Sequence, residues 1–364
     1  MNDVTPPEDC LNVPARAPAA PEDPGHAPLS AARVLVAVPT LNEEGAIETC
    51  LRSLLGEDPF MAGVDIVIAD GGSDDATIAI VRRLQSEFPN LDLIENRARL
   101  QSAAINAVVA RCRLPHHAVL VRCDAHAVYP PGYVRAVAAG LLARPEAASL
   151  VVPMDAVGET CFQRAAAWIV DTPLGSGGSA HRGGRLSQWV DHGHHAGFRL
   201  DWFHKIGGYD ESFSHNEDAE YDHRLGAAGG RIWLEADIRL DYHMRPSLSA
   251  LARQYWNYGR GRARTMRKHR MRPRLRQLIP VLHVLMLILS LLLLGWHPAA
   301  LAYPALYAAL LMAVSLLGAF RLKSLCGLCA GPALGAMHLA WGSGFLREIL
   351  TAERPRAQRA KVRT

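Results

Sequence analysis

Between residues 33 and 122, short apolar runs alternate with longer stretches whose apolar positions return every three or four residues. Val34 to Val38 reads as a strand ended by Pro39, and Thr40-Leu-Asn-Glu43 has the spacing of a capping box opening a helix through about Leu55. Asp65 to Ala69 reads as a second strand. Behind it, the glycines of Asp70-Gly-Gly-Ser-Asp-Asp75 permit close backbone approach, and Ser73 or Asp74 can cap a helix running to about Phe88. Leu91 to Glu95 is a third strand, about Leu100 to Ala110 a helix, and Ala118 to Val121 a fourth strand. Strands alternating with helices imply an α/β domain with a parallel sheet and ligands at the carboxyl ends of its strands. That edge gathers Asn42, Glu43, Asp70, Arg97, Arg99, Asp124 and His126.

The pattern changes on either side. Residues 1 to about 30, rich in Pro and Ala, offer no core face and read as a disordered tail. They lack the charged-then-apolar layout of a signal peptide, so the next domain is expected to stay on the side of synthesis. Gly-rich stretches between Glu159 and Asp191 suggest a functional or disordered loop, and Ile238 to Tyr242 a strand. Ser247 to Arg276 reads as an amphipathic helix on anionic lipid, with aromatic and basic residues interleaved. Leu278 to Gly295 and Ala299 to Phe320 are each long enough to cross a bilayer of roughly 30 Å, their basic flanks facing the cytoplasm. Leu325 to Leu346 carries several glycines and Pro332, and reads as a re-entrant or in-plane segment. The expected division is a tail at 1–30, an α/β domain at 31–250, a basic interfacial helix at 251–277, membrane segments at 278–346 and a basic tail at 347–364.

The formal charge of the 364 residues is only +4, but basic residues crowd between Arg253 and Arg276 and after Arg347. This favours lipid headgroups over nucleic acid as a partner. Seven scattered cysteines argue against a disulfide framework and suit a reducing cytosol. Cys326 and Cys329 lie in an apolar, Gly-rich segment without a second pair, which speaks against zinc.

Asp124 and His126 leave a strand end on the same side because side chains alternate along an extended backbone. A carboxylate and an imidazole so held can share a divalent cation that neutralises a diphosphate; the plainer reading is an Asp turn with a packed histidine. With Ser73 or Asp74 as the cap, Asp70 is left to accept from a base or ribose, whereas Glu43 has a cap as its plainer role. Arg99 at a helix start suits a phosphate partner. His192, His194 and His195 have no acidic or cysteine partner at ligand spacing and read as structural or acceptor-contacting. The acids of Asn216-Glu-Asp-Ala-Glu-Tyr-Asp222 complement a helix dipole.

Val-Pro-Thr-Leu-Asn-Glu-Glu (38–44), Ala-Asp-Gly-Gly-Ser-Asp-Asp (69–75), Arg-Cys-Asp-Ala-His (122–126), Asn216-Glu217-Asp218 and Gln254-Tyr-Trp-Asn-Tyr-Gly-Arg260 together resemble family 2 inverting glycosyltransferases. With Asp191-His-Gly-His-His195 and the apolar C-terminal region, the resemblance extends to the succinoglycan-type exopolysaccharide glucosyltransferases. It covers roughly residues 33 to 265 and implies a GT-A fold with a mixed, mostly parallel sheet. It also implies Asp218 as the acceptor-activating base with Glu217 beside it, and a donor site of Pro39, Asn42, Glu43, Asp70, Arg99, Asp124, Gln254 and Arg260. Where the family carries Asp-x-Asp this chain has Asp124-Ala-His126, and these two would hold Mn2+ or Mg2+; His243, at the end of the Ile238 to Tyr242 strand, reads equally as a third ligand or as a core-edge histidine. The implied activity moves a sugar, glucose for preference, from a UDP-sugar to a polyprenyl-diphosphate-linked oligosaccharide at the cytoplasmic face of a bacterial inner membrane. A nucleotidyltransferase would need basic residues in the first loop, where 38–44 has none; a non-catalytic membrane scaffold would bind neither UDP nor metal. Two or three apolar segments make a poor translocation channel for a processive synthase.

Overall fold

The computed structural model describes residues 29–56, 58–179 and 182–351, so the tails read at 1–30 and 347–364 fall largely outside the described residues. Along the chain come β1 (Val34–Thr40), α1 (Ile47–Leu55), β2 (Asp65–Asp70), α2 (Thr77–Glu87), β3 (Leu91–Glu95), α3 (Gln101–Cys112), β4 (Val119–Arg122), α4 (Tyr133–Leu142), β5 (Ala147–Val152) and β6 (Met154–Val157). Then follow α5 (Cys161–Val170), α6 (Pro173–Ser176), β7 (Gln188–Val190), β8 (His194–Arg199), α7 (Leu200–Lys205), α8 (Glu217–Ala227), β9 (Arg231–Leu234) and β10 (Leu240–His243). Four long helices close the sequence: α9 (Leu248–Lys268), α10 (Leu275–Leu293), α11 (Ala302–Leu322) and α12 (Ala330–Thr351). Two compact units result, Met1–Val157 with Gly178–His243, and Gly158–Gly177 with Met244–Thr364. The segment read as a loop inside the first domain is thus divided: its first part forms α5 and α6, and Gly158–Gly177 groups with the second unit.

In the first unit the sheet order is β3-β2-β1-β4-β8-β5-β9-β7. β3, β2, β1 and β4 are parallel, β8 runs antiparallel to β4 and β5, and β9 is parallel to β5. Alternation divides β1 between two cores. Val34, Val36 and Val38 join Ile66, Ile68, Val119, Val121 and the α1 residues Ile47, Leu51 and Leu54. Leu35 and Ala37 join Val67, Leu120 and the α3 residues Ile105 and Val108 on the other face. A slip of one residue in β1 would exchange the two sets, so both faces hold its register.

Three local readings change. β1 does not stop at Pro39 but runs to Thr40. Ala37 accepts from Cys123 beyond β4 and Thr40 from Gly71 beyond β2, so Pro39 turns its missing N–H to the β4 side, past the last rung. No capping box opens α1, which begins only at Ile47. Instead the loop is laced to the one after β2: Asn42 N–H donates to Ser73 Oγ (2.8 Å), Glu43 N–H to Thr77 Oγ1 (2.8 Å), and Ala76 N–H to Glu44 Oε2 (2.9 Å). The α2 start is held by neither Ser73 nor Asp74, since Asp75 Oδ1 accepts from Thr77 N–H (2.9 Å).

The second unit is helical. α9, read as lying on lipid, buries Leu251, Gly259, Gly261, Ala263 and Met266, and a Cβ on Gly259 would collide with the Trp341 carbonyl of α12. Likewise a Cβ on Gly344 would strike Trp256 C=O, and one on Gly342 the Pro280 carbonyl of α10. The glycines read as breaks in a re-entrant segment therefore let backbones approach in one continuous helix. Leu275–Leu293, Pro298–Leu322 and Leu325–Thr351 are all long and apolar enough to cross a membrane, with mean hydropathies of 2.0, 1.9 and 1.2. Cys161 pairs with Cys326, 165 positions away. The scattered spacing hid this crosslink, because a pair so distant leaves no local pattern.

Candidate active site

Arg122, the last residue of β4, is buried, and its guanidinium joins two acids. Nη1 donates to Asp218 Oδ1 at 2.8 Å, while Nε lies 3.4 Å from Asp124 Oδ1. Asp218 comes from the first turn of α8, where the helix dipole favours negative charge. Its Oδ1 also accepts from the Tyr209 hydroxyl at 2.6 Å. Tyr209 is fixed in turn by Asn106, which accepts its N–H (2.9 Å) and donates to its carbonyl (2.8 Å). Gly208 permits this: its φ is +66°, and a Cβ there would lie 2.5 Å from Asn106 Oδ1. Arg224 ties α8 to the same loop through the carbonyls of Ile206 (2.6 Å) and Gly208 (2.7 Å), its charge met by the buried Glu220.

These contacts drive two adjacent carboxyls apart. Burial pushes the Glu217 carboxyl up, the charge of Asp218 adds to it, and its pKa reaches about 7. Burial acts upward on Asp218 too, but Arg122 foremost, with His195, His194 and Tyr209, holds it well below the usual carboxylate range. Asp124 is also lowered: burial opposes ionisation, and Arg122, His194 and His126 outweigh it.

β8 brings the histidines in. Its antiparallel register sets Leu120 against Phe198 and Val121 against Gly197; continued past the end of β4, it sets Asp124 against His194. His194 Nε2 stands 3.6 Å from Asp124 Oδ2, and burial lowers the imidazole pKa to about 4 despite the pull of Asp124. One residue on, His195 faces the other way and meets Asp222 Oδ1 at 2.5 Å, while His192 Nδ1 meets Oδ2 at 2.5 Å. Asp222 lies one turn beyond Asp218 on α8. The histidine cluster thus has acidic partners, supplied by α8 and β4 rather than by nearby sequence.

In front of Asp124 lies a cleft of about 180 Å³ lined by Pro39, Thr40, Glu43, Asn96, Arg99, Gln101 and His126, among others. Gln101 donates to Asp124 Oδ1 (2.8 Å), and Glu43, free of the helix-cap role, has its Oε1 2.9 Å from His126 Nδ1. Arg99 takes a left-handed φ of +58° at the cleft edge. Asn42 is spent on the loop lacing, with its Oδ1 accepting from Asp74 N–H (3.0 Å). The carboxylate of Asp70 is not left over: it accepts from Gly72 N–H, Ser73 N–H and Ser73 Oγ, closing its own turn. His243 ends β10, exposed, in a two-stranded sheet with β6. Gln254 and Arg260 stand on α9 in the second unit, where Arg260 Nε is 3.3 Å from Glu348 Oε2.

Asp65, His116 and His117 bring donor atoms within 4.8 Å of one another, but at the amino ends of β2 and β4, the opposite edge from Asp124. His117 Nδ1 accepts from Leu114 N–H (3.0 Å), which leaves the proton on Nε2 to bind Asp65 at 2.9 Å. That nitrogen has no lone pair for a metal. The Asp124 pocket, a carboxylate with imidazoles nearby, offers oxygen and nitrogen donors that can hold a divalent cation. Arg122, Tyr209 and Gln101 were not singled out from the sequence; the one signal was the i, i+2 spacing that sends Arg122 to the side of Asp124.

The model of glycosyl transferase family 2 matches residues 35–207. The succinoglycan biosynthesis protein ExoA of Rhizobium meliloti (strain 1021) is 42% identical over 327 residues, covering 90% of this chain and 98% of that protein. A dolichyl N-acetyl-alpha-D-glucosaminyl phosphate 3-beta-D-2,3-diacetamido-2,3-dideoxy-beta-D-glucuronosyltransferase of Methanococcus voltae is 25% identical over 245 residues, 65% of this chain and 74% of that one. Among solved structures, the mannosyltransferase PcManGT from Pyrobaculum calidifontis, in complex with GDP-Man and Mn2+, has a TM-score of 0.57 at 20% identity. The match covers 91% of this chain and 90% of that one, and is a likeness of fold.

Proposed function

The chain belongs to glycosyl transferase family 2 and has the GT-A fold, and from that premise we propose that it transfers a sugar from a UDP-sugar to a polyprenyl-diphosphate-linked oligosaccharide, with inversion, in exopolysaccharide synthesis. Similarity to a succinoglycan biosynthesis protein supports the pathway class, and the motif resemblance to succinoglycan-type glucosyltransferases makes glucose the first donor to test. The apolar helices and the basic α9 support attachment to a bacterial inner membrane with anionic lipid, the catalytic unit on the cytoplasmic side.

One observation carries the reading: a single buried guanidinium, that of Arg122, joins the carboxylate at the cleft to the carboxylate at the start of α8. The nucleotide occupies the cleft of Pro39, Glu43, Arg99 and Asp124, with Asp70 holding the turn at its wall and Asn42 holding the two loops together. Asp124, His126 and His243 would hold the divalent cation, which when bound neutralises the leaving diphosphate. Asp218 removes the proton of the acceptor hydroxyl as its oxygen attacks the anomeric carbon.

A specific observation favours a second assignment of the base. Asp218 is held by two donors and kept acidic, whereas Glu217, raised to about 7, binds a proton more readily near neutrality. The two are separated by the pH profile of transfer from labelled UDP-glucose to extracted lipid-linked acceptors. If Asp218 is the base, Asp218→Asn abolishes transfer while UDP binding survives, and Glu217→Gln leaves the acid limb in place. If Glu217 is the base, kcat/KM rises with pH through about 7 as that carboxyl ionises, and Glu217→Gln removes the rise. Normal turnover by both variants would refute the carboxylate mechanism.

A further inference from the structure

β8 and its surroundings hold three imidazole nitrogens that face carboxylate oxygens, and only one pairing is left open. His192 and His195 meet Asp222 at hydrogen-bond distance. His194 Nε2 and Asp124 Oδ2 face each other at 3.6 Å, too far for a hydrogen bond. Among the described residues neither atom has another hydrogen-bond partner, since Gln101 and Arg122 both address Oδ1. The side chains are 17% and 22% exposed, so an ion can reach the two atoms. Two facing donor atoms left without a hydrogen bond in this way are open to a shared ligand.

We propose that His194 is a ligand of the divalent cation, binding through Nε2 opposite Asp124 Oδ2, in the place given above to His243. The inference rests on the metal-dependent reading of the site. An oxygen and a nitrogen each about 2.0–2.2 Å from one ion lie roughly 3 Å apart at a right angle and about 4 Å apart when nearly opposed. A separation of 3.6 Å falls inside that range, so the ion fits with little movement. The β8 strand carries His194 and pairs on both sides, with β4 and β5, which makes it a rigid support. His243, by contrast, is exposed at the end of a two-stranded sheet.

The test is Mn2+ binding by the full chain in detergent, followed by calorimetry and by the electron paramagnetic resonance of free Mn2+, with UDP present. His194→Ala is expected to weaken Mn2+ binding about tenfold or more, and His243→Ala less than about threefold, in line with the tenfold or greater losses seen even for groups that only support a ligand. His194→Cys, which preserves a donor, is expected to shift preference from Mn2+ to Cd2+, since thiolate selects softer ions. A structural histidine would give no such shift, so the cysteine variant decides the matter if the alanine variant folds poorly. Wild-type affinity in His194→Ala, or a cysteine variant without the Cd2+ preference, overturns the assignment while the metal-dependent enzyme stands. A wild-type chain that binds no Mn2+ in the presence of UDP overturns the assignment together with the cation clause of the proposed function.

Discussion

His194 and His195 are neighbours on one strand and meet opposite fates. On one side His195, stacked on Phe198 at 4.7 Å, joins His192 in taking both oxygens of Asp222. On the other, His194 and Asp124 stop short of bonding, beside a cleft and a guanidinium shared with Asp218. The first arrangement commits both carboxylate oxygens and the nitrogens that face them to the fold, while His195 Nδ1 is buried without a partner; the second leaves the facing oxygen and nitrogen in reserve. The difference teaches that a histidine next to an acid is informative only when the partners are counted, because a satisfied buried pair has nothing left for a substrate or an ion.

The comparison breaks most visibly in stability. Asp222→Ala strands a buried imidazole without its counter-charge, and removing one partner of a buried pair costs about 3–5 kcal/mol. Denaturant unfolding of the detergent-solubilised chain is expected to show that loss. Asp124→Asn keeps shape and most polar contacts, so its midpoint should barely move, while transfer falls by more than about 100-fold, the upper range for groups that merely support a metal ligand. Similar midpoints in the two variants would erase the distinction.

A smaller effect lies in the pH dependence of that stability. Burial lowers the His195 pKa, but Asp222 outweighs it and the net shift is upward from 6.5. A raised value means that its contribution is complete below 6.5 and fades as pH rises through the folded-state pKa. Asp222 moves the other way: burial raises it, His195 and His192 lower it further, and the net is below 3.8. Its contribution is therefore complete above 3.8 and fades as pH falls through the folded-state pKa. The pair stabilises most between about pH 3.8 and pH 6.5, the ordinary values of the two groups, and the unfolding free energy of the wild type minus that of Asp222→Asn should peak in that window. A flat difference would mean that the pair is not ionised as described.

Much of this was legible beforehand, for physical reasons that differ along the chain. The parallel half of the sheet reads directly, because strands buried on both faces leave unbroken apolar runs such as Val34 to Val38. Asp124, His126 and Asp218 are singled out by motif, and the structure joins Asp124 and Asp218 through one guanidinium. What failed was whatever depended on distant partners. A capping-box spacing at Thr40 to Glu43 looked local, yet those groups bond across to Ser73 and Thr77. Asp70 looked free because the count of its neighbours stopped at the helix cap, whereas it closes its own turn. The histidine cluster lacked an acid only in sequence: an antiparallel strand inserted beside β4 and a helix from residue 217 onward supplied two. Cys161 and Cys326 failed alike, being 165 positions apart.

The smallest expected effect sits at the rim of the closed pair. His192 is 34% exposed, and its loss leaves Asp222 still bound to the buried His195. A hydrogen bond to a charged group is worth about 1.5–3 kcal/mol when buried, and solvent screening of a partly exposed partner reduces this, so His192→Ala should cost about 1 kcal/mol. His195→Ala should cost several times more, since it also removes a ring packed against Phe198 and Tyr221. Denaturation midpoints of the two single variants and of the double variant separate the shares, because partners of one carboxylate are coupled and need not add. If His192→Ala proved as damaging as His195→Ala, the rim histidine would be holding the carboxylate in place, and the closed side of β8 would depend on a residue that water already reaches.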